Sequence, residues 1–381
     1  MTITARALNR ATLARQLLLH RESIDVADAV RRVVALQAQE PASPYLALWN
    51  RIGGFDPAAL DAAAAGFQTV RSTLMRVTLH LVHAEDYPAF RAAMEPTLRA
   101  SRLGDARFRA SGLTAADADA LLPDLLTYAD RPRTAAELRD RLTERLGAPV
   151  EPTAWRLLRQ YAPLWHVPAG PPWSFDSRPS YLAAGTRPAP AEPDADTGLR
   201  ALIRRYLEGF GPASVADMAQ FAMVQRARVR AAVQRLAGEL EQLAGPDGTA
   251  VYDVPGAPRP AEDTPAPPRL LPMWDSILLV YADRSRVIPP AYRKHLIRVN
   301  GDVLPALLVD GYVAGVWRAV GGGIEATAFH PLPEDVWEAL AAEARALGAF
   351  LADRDPDVYR RYGHWWDKGL PAAERRLLPG G

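Results

Sequence analysis

The stretch from Gly198 to Val254 constrains this chain more than any other part of it. Apolar positions at helical spacing run to Phe210, where Gly211-Pro212 stops them, because proline cannot continue a helix. Ser214 opens a second helix through Ala222 as an N-cap. After a short turn, residues 225–236 (QRARVRAAVQRL) form a third. Residues 240–254 read as a hairpin turning at Gly245-Pro246-Asp247-Gly248. Helix, helix, turn, helix, hairpin is the order of a winged helix-turn-helix.

Two earlier stretches follow the same order without a strict sequence repeat. Residues 6–36 read as two helices, and a third, short helix over 45–52 stops at Gly53-Gly54. Residues 69–82 change to the period of a strand, on which Leu74, Arg76, Thr78 and His80 share one face. Further on, Thr134 opens a helix to Leu146 with Glu137 at capping-box spacing. A helix over 152–161 and a wing-like stretch over 164–175 follow. Residues 187–196 (RPAPAEPDAD) have the composition of a linker.

Beyond a proline-rich linker at 255–268, strands are expected at 277–282, 295–299, 303–309, 313–319 and 324–329. Asn300-Gly301, Asp310-Gly311 and Gly321–Gly323 divide them, and an amphipathic helix over 333–351 closes the pattern. Five short strands suggest a small antiparallel barrel. At 381 residues the chain exceeds what one core organises. The expected fold is α+β, with three tandem winged-helix motifs and a β-barrel in units 1–110, 111–195, 196–260 and 261–381.

The 45 basic and 44 acidic side chains leave a net charge of +1, which excludes nucleic-acid binding by bulk charge alone. A local basic surface remains open. From Arg200 to Gly238 seven arginines stand against Glu208 and Asp217, with Arg226, Arg228 and Arg230 on the last helix. That pattern fits a groove-binding helix, and it also fits a solvated face in an arginine-biased proteome. Lys294 and Lys368 are the only lysines, so chemistry through an amine nucleophile has two candidates. The absence of cysteine excludes disulfides and thiolate chemistry. No His-x-x-x-His or His-Glu-x-x-His pair, P-loop or dinucleotide fingerprint occurs, so neither a metal nor a cofactor is expected. No apolar run reaches membrane-spanning length and no secretory signal is read, which places the protein in a bacterial cytoplasm.

The segment LQAQEPASP (36–44) is the least ordinary. Pro41 biases Glu40 away from helical backbone, so the preceding helix is expected to end near Gln37. In an extended exit Gln37 and Gln39 share a face. Each carboxamide offers an acceptor oxygen and two donor protons, enough to orient a water. The plainer alternative is two polar residues finishing a helix.

LQAQEPASPYLALW, then TLMRVTLHLVHAEDY, then LLPMWDSILLVYADRSRVI and GDVLPALLVDGYVAGVWR, in that order, resemble the winged-helix (HTH_42) superfamily of bacterial DNA glycosylases. This is the AlkZ/YcaQ family, and the resemblance covers residues 8–351. It implies a concave DNA-binding channel, with Gln37 and Gln39 as the catalytic Gln-x-Gln motif of its AlkZ-like branch; the YcaQ branch has aspartate at the second position. The implied activity is hydrolysis of the N-glycosidic bond of N7-alkylated guanine in double-stranded DNA, and with Lys294 and Lys368 both far along the chain from Gln37 it is expected to be monofunctional. Bulky adducts and interstrand crosslinks fall within that class, for repair or self-resistance. An N7-alkylated base already carries positive charge and leaves readily, so the remaining task is to place a water against C1′. On their shared strand face Arg76, Thr78 and His80 are expected to line that channel beside the glutamines, against the plainer reading of a solvated wing face, and Arg226, Arg228 and Arg230 are expected to contact phosphates. The resemblance implies no cofactor, no membrane and a monomer. The competing expectation is a non-catalytic winged-helix transcription regulator with the same wings.

Overall fold

Side-chain caps set most helix starts: Thr4, Asp25, Thr114, Thr134, Asp194 and Ser214 each accept a backbone N–H from the first turn that follows. The computed structural model describes residues 2–175, 178–186 and 193–380. Its first part runs α1 (Ala5–Arg15), α2 (Val26–Arg32), β1 (Leu36–Gln37), α3 (Ser43–Trp49), α4 (Pro57–Ala65), β2 (Thr69–Thr73), β3 (Leu79–His83) and α5 (Tyr87–Arg102). The second runs α6 (Ala106–Ala110), α7 (Ala115–Tyr128), β4 (Arg133–Thr134), α8 (Ala135–Leu146), α9 (Pro152–Tyr161), β5 (Leu164–Val167) and β6 (Ser180–Ala183).

Both parts contain the same series: helix, short strand, two helices, hairpin. In each, the short strand pairs with the second hairpin strand, β1 with β3 and β4 with β6. The hairpins meet through β2 and β5, where Arg71 stands opposite His166. One six-stranded sheet results, in the palindromic order β1-β3-β2-β5-β6-β4. Of the linker expected at 187–196, residues 187–192 lie outside the described residues, and Asp194 already caps the next helix.

That helix is α10 (Ala195–Phe210), followed by α11 (Val215–Ala222), α12 (Arg226–Arg235), β7 (Glu241–Ala244) and β8 (Ala250–Asp253). Ser214 and Asp217 form a reciprocal capping box. The buried stripe of α10, including Leu199, Leu202, Tyr206 and Phe210, explains its seat against the rest of the core. Where α10 crosses α5, a Cβ on Gly198 would stand 2.6 Å from the Ala89 carbonyl, so only glycine permits the approach.

The C-terminal part departs from expectation. β9 (Arg269–Leu271), β10 (Ala306–Val309), β11 (Tyr312–Val320), β12 (Gly323–Ala328) and β13 (Glu374–Leu378) form an antiparallel sheet in the order β13-β12-β11-β10-β9. Its edges do not pair, so the expected barrel is not formed. Residues 277–281 are buried in irregular backbone around a 3-10 turn at Ser276–Leu278, and Ala282 is exposed. The expected strand at 295–299 is divided between α13 (Arg293–Leu296) and a turn. Two of five expected strands are therefore absent, and the replacements, β9 and β13, come from outside the expected set. Asp310-Gly311 and Gly321-Gly322 do make two-residue hairpin turns with left-handed backbone. The helix α14 (Glu334–Ala352) packs on this sheet, and a short α15 (His364–Asp367) precedes β13. Among the described residues no helix is long and apolar enough to cross a membrane.

Candidate functional site

The helix before the glutamines ends five residues early. α2 stops at Arg32, and Val34 takes left-handed backbone at φ 74°, so Gln37 lies in β1, opposite His80, instead of at a helix end. The Ala38 N–H donates to the Leu79 carbonyl (2.8 Å), and the Ala38 carbonyl accepts from Arg71 Nε (3.0 Å). Gln39 Oε1 accepts from the Leu79 N–H (3.2 Å). Gln37 is buried at 6% exposure, whereas Gln39 is exposed. The segment is thus held from both sides by backbone and side-chain bonds, and its extended course carries both carboxamides toward the β2–β3 hairpin.

That hairpin corrects the single strand expected over 69–82. A 3-10 turn at Met75–Val77 splits it, with Arg76 at φ 52° and Val77 at φ 57°. Arg76, Thr78 and His80 therefore do not share a strand face. The turn instead folds Arg76 back toward Gln37. Arg76 Nη2 lies 2.5 Å from Gln37 Oε1 and 3.1 Å from His80 Nε2, while Nη1 lies 3.4 Å from the Phe221 carbonyl. Thr78 spends its hydroxyl inside the turn, donating to the Met75 carbonyl (3.2 Å). Of the three, two converge on Gln37 and one does not.

His80 is neutral on geometric grounds. A guanidinium has no lone pair, so Nε2 must accept from Arg76, and Nδ1–H donates to the Thr78 carbonyl at 3.1 Å. Burial, and then the Arg76 charge, hold the imidazole pKa well below its usual range. Burial, with Arg284 adding to it, lowers the Arg76 pKa to about 10, which leaves it charged at neutral pH. Among the described residues no carboxylate pairs with Arg76.

A second buried arginine lies under Ala38. Besides its bond to that carbonyl, Arg71 Nη1 stands 3.3 Å from His166 Nδ1 and its guanidinium 5.3 Å from the Phe175 ring. Burial brings the Arg71 pKa to about 10. Burial followed by Arg71 and Arg159 pushes His166 well below the usual histidine range. Downstream, Glu40 accepts from the Arg361 guanidinium and the Tyr362 hydroxyl, and Ser43 meets the Tyr359 hydroxyl at 2.9 Å. Reading the sequence missed Arg71, Arg361 and Tyr362. The only hint was Arg71 itself, a charge inside a segment expected to be a strand.

On α12, Arg226 and Arg230 are exposed with no carboxylate partner among the described residues, and Arg228 bonds Asp196 at 3.0 Å. A second basic segment went unread: Arg284, Arg293, Lys294 and Arg298 occur with no acidic residue between 284 and 298. It abuts α11, because the Ala282 N–H donates to Asp217 Oδ1 (2.9 Å), and Arg76 meets the far end of the same helix at Phe221. Arg298 lies over the Trp365 ring at 4.4 Å. Among the described residues, the groups bonded to the Gln37-Ala38-Gln39 segment are thus the Arg71 and Arg76 cations and the backbone of Leu79, with the neutral His80 imidazole behind Arg76 and the paired Glu40 carboxylate following. Such a set can orient a water or a neutral acceptor.

A family model described as DNA glycosylase AlkZ-like matches residues 30–350. The chain is 26% identical over 362 residues to the interstrand DNA cross-link repair glycosylase of Streptomyces sahachiroi, covering 88% of this chain and 94% of that protein. Its fold is similar to the solved Streptomyces sahachiroi DNA glycosylase AlkZ, with a TM-score of 0.76 at 22% identity over 92% of this chain and 96% of that one.

Proposed function

The chain belongs to the AlkZ-like DNA glycosylase family, and from that premise we propose that it hydrolyses the N-glycosidic bond of N7-alkylated guanine in double-stranded DNA with a water oriented by Gln37 and Gln39. The observation that carries this reading is the fixed Gln37-Ala38-Gln39 segment, held by β3 and Arg71 with no carboxylate bonded to it among the described residues. A neutral pair suffices for this substrate. The alkylated base is already cationic, so the C1′–N9 bond breaks without protonation by an acid. The water oxygen bonds to C1′, N9 keeps the electron pair, the base leaves neutral, and the water's proton passes to solvent. Positioning supplies most of the acceleration.

Bulky adducts and interstrand crosslinks are included in the proposed substrates, in keeping with the Streptomyces sahachiroi relative, an interstrand DNA cross-link repair glycosylase. The protein acts as a monomer in the bacterial cytoplasm, in repair or self-resistance, and needs no cofactor. The two like halves of the six-stranded sheet and the unit from α10 to β8 act as three winged helices, 1–110, 111–195 and 196–260, around a DNA channel, with 261–381 beside them. Arg76 faces that channel beside Gln37, with His80 buried behind it and Thr78 held in the turn, and Arg226, Arg228 and Arg230 contact phosphates. Arg284, Arg293 and Lys294 supply a further phosphate-binding wall, since cations without carboxylates suit a polyanion. The sparse lysines, Lys294 and Lys368, favour a monofunctional reaction that leaves an abasic site.

The test is incubation with duplexes carrying N7-methylguanine or a bulky N7 adduct, followed by alkali. Strand scission is expected only after alkali, with at least about a hundredfold loss in the Gln37→Ala/Gln39→Ala variant. Binding to both duplexes without release of either base would overturn the reading in favour of a DNA-binding regulator. A borohydride-trapped protein–DNA adduct would overturn the monofunctional assignment.

A further inference from the structure

We infer that Arg76, itself fixed by His80, is a positioning residue that decides which end of the Gln37 carboxamide faces the reacting water. The inference rests on the reading of Gln37 as a water-orienting group and sharpens it. A carboxamide has two ends of nearly equal size and opposite hydrogen-bonding character, and only its partners decide which way it points. The atom of Gln37 that stands 2.5 Å from Arg76 Nη2 must be the oxygen, because a guanidinium has five donors and no acceptor. The Nε2 end, with two donor protons, is therefore directed away from Arg76. Gln37 acts as a donor, and the acceptor for the water is the second lone pair of Gln39 Oε1, whose first takes the Leu79 N–H.

Three further observations tie Arg76 to this task. Its own orientation is over-determined, by His80 Nε2, by the Phe221 carbonyl and by the Phe221 ring at 5.7 Å. His80 can accept only while neutral, and its Nδ1–H bond to the Thr78 carbonyl fixes the required tautomer. The backbone that presents Arg76 is left-handed at two successive non-glycine residues, one of them the β-branched Val77. Arg102 Nη2 holds that turn at the Val77 carbonyl (3.1 Å). Conformations of this kind persist where surrounding contacts impose them, and they gather at functional sites. A merely structural arginine would also be expected to have a carboxylate, and among the described residues Arg76 has none.

The alternatives are a structural tie and a phosphate contact independent of Gln37. A thermodynamic cycle on the full chain separates them. Single-turnover base release at saturating N7-methylguanine duplex is measured for the wild type, Arg76→Met, Gln37→Ala and the double variant, with the Kd of each for undamaged duplex. Arg76→Met is expected to slow release about 10- to 100-fold with the native protein, yet less than about twofold further in the Gln37→Ala background. Arg76→Lys, which keeps a donor, is expected to restore part of the rate. Gln37→Glu keeps the contact to Arg76 but presents acceptors to the water, so it is expected to be as slow as Gln37→Ala. Equal losses from Arg76→Met in both backgrounds would overturn the inference. So would a change confined to Kd, or a wild-type rate in Gln37→Glu. Absence of base release by the wild type would instead overturn the glycosylase reading itself, so the two failures are distinct.

Discussion

The chain buries arginine in two different ways. Arg15 and Arg51 are sealed in the scaffold against Asp253 and Asp275, each by two hydrogen bonds of 2.7 to 2.9 Å, with side chains at most 1% exposed. The first ties α1 to β8, and the second ties the end of α3 to the turn before residue 276. Arg71 and Arg76, on the hairpin beside Gln37 and Ala38, meet carbonyls, a carboxamide oxygen and imidazoles, and no carboxylate among the described residues. Where the chain buries an arginine to join distant parts, it supplies the opposite charge. Where it buries one beside the glutamines, no carboxylate among the described residues bonds it, although Glu40 lies close enough to Arg71 to favour its charge. A cation without a partner is costly in a protein interior and useful next to a phosphate backbone.

The contrast breaks most visibly at the paired arginines. Asp275→Ala leaves Arg51 buried without a counter-charge, and the expected loss is about 3–5 kcal/mol of stability, read from the denaturant midpoint. Removing Arg71 removes no ion pair. Arg71→Met is expected to cost only about 1–2 kcal/mol, from the bond to the Ala38 carbonyl and altered packing. Its base-release rate, however, should fall about tenfold as Ala38 loses its tether. If Arg71→Met destabilises as much as Asp275→Ala while leaving the rate intact, the two arginines are of one kind and the distinction fails.

How much of this was legible in the sequence follows from the range of the forces involved. The capping boxes at Thr134 and Ser214 are decided within three residues, and α8, α9, α11 and α12 begin and end within about a residue of expectation. The Asp310-Gly311 turn is equally local. The barrel misled because a short, wholly apolar run such as 277–282 has the same appearance in a buried strand and in buried irregular backbone. The hairpin at Arg76 was unreadable for another reason. Its turn is made by Arg76 and Val77 in left-handed backbone, where the familiar signal is glycine or asparagine. The pairing of Gln37 with His80 needs β1 to be recognised from two residues, and the Glu40–Arg361 contact spans 321 positions. The glutamines, Arg76 and His80 were visible as residues; the turn that folds Arg76 onto Gln37 and the Arg71 tether under Ala38 were not.

The imidazoles sharpen the comparison through pH. His80 and His166 each accept next to an uncompensated arginine, and both have pKa values held below the unfolded value of 6.5. A base whose folded pKa is depressed binds more protons when unfolded. Stability should therefore be fully present above about pH 7 and fall as pH drops below 6.5 toward the folded values. Denaturant midpoints from about pH 8 to about pH 5 test this, and His80→Gln or His166→Gln is expected to flatten the slope. Base release by the folded protein should hold through that window, because His80 stays neutral there, and fall only near its depressed folded pKa, where a protonated His80 repels Arg76 and frees Gln37. A decline in wild-type stability that survives the loss of both imidazoles would assign it to other groups.

A third class of arginine, exposed on α12, gives the smallest effects. Arg226 and Arg230 have no carboxylate partner among the described residues, while Arg228 already bonds Asp196. A phosphate contact at Arg226 or Arg230 releases counterions. Its removal should lower the slope of log K against log salt by about 0.9 and weaken binding to undamaged duplex about fivefold near physiological salt. Arg228 must first leave Asp196, and its substitution also leaves that carboxylate facing the duplex, so Arg228→Ala should weaken binding through repulsion as well as through any lost contact. The double variant Arg228→Ala/Asp196→Ala isolates the difference. If it binds as the wild type does, with the same salt slope, Arg228 belongs with the paired arginines of the scaffold. If it loses as much as Arg226→Ala, the ion pair is a resting contact that DNA displaces, and Arg228 belongs with the uncompensated set.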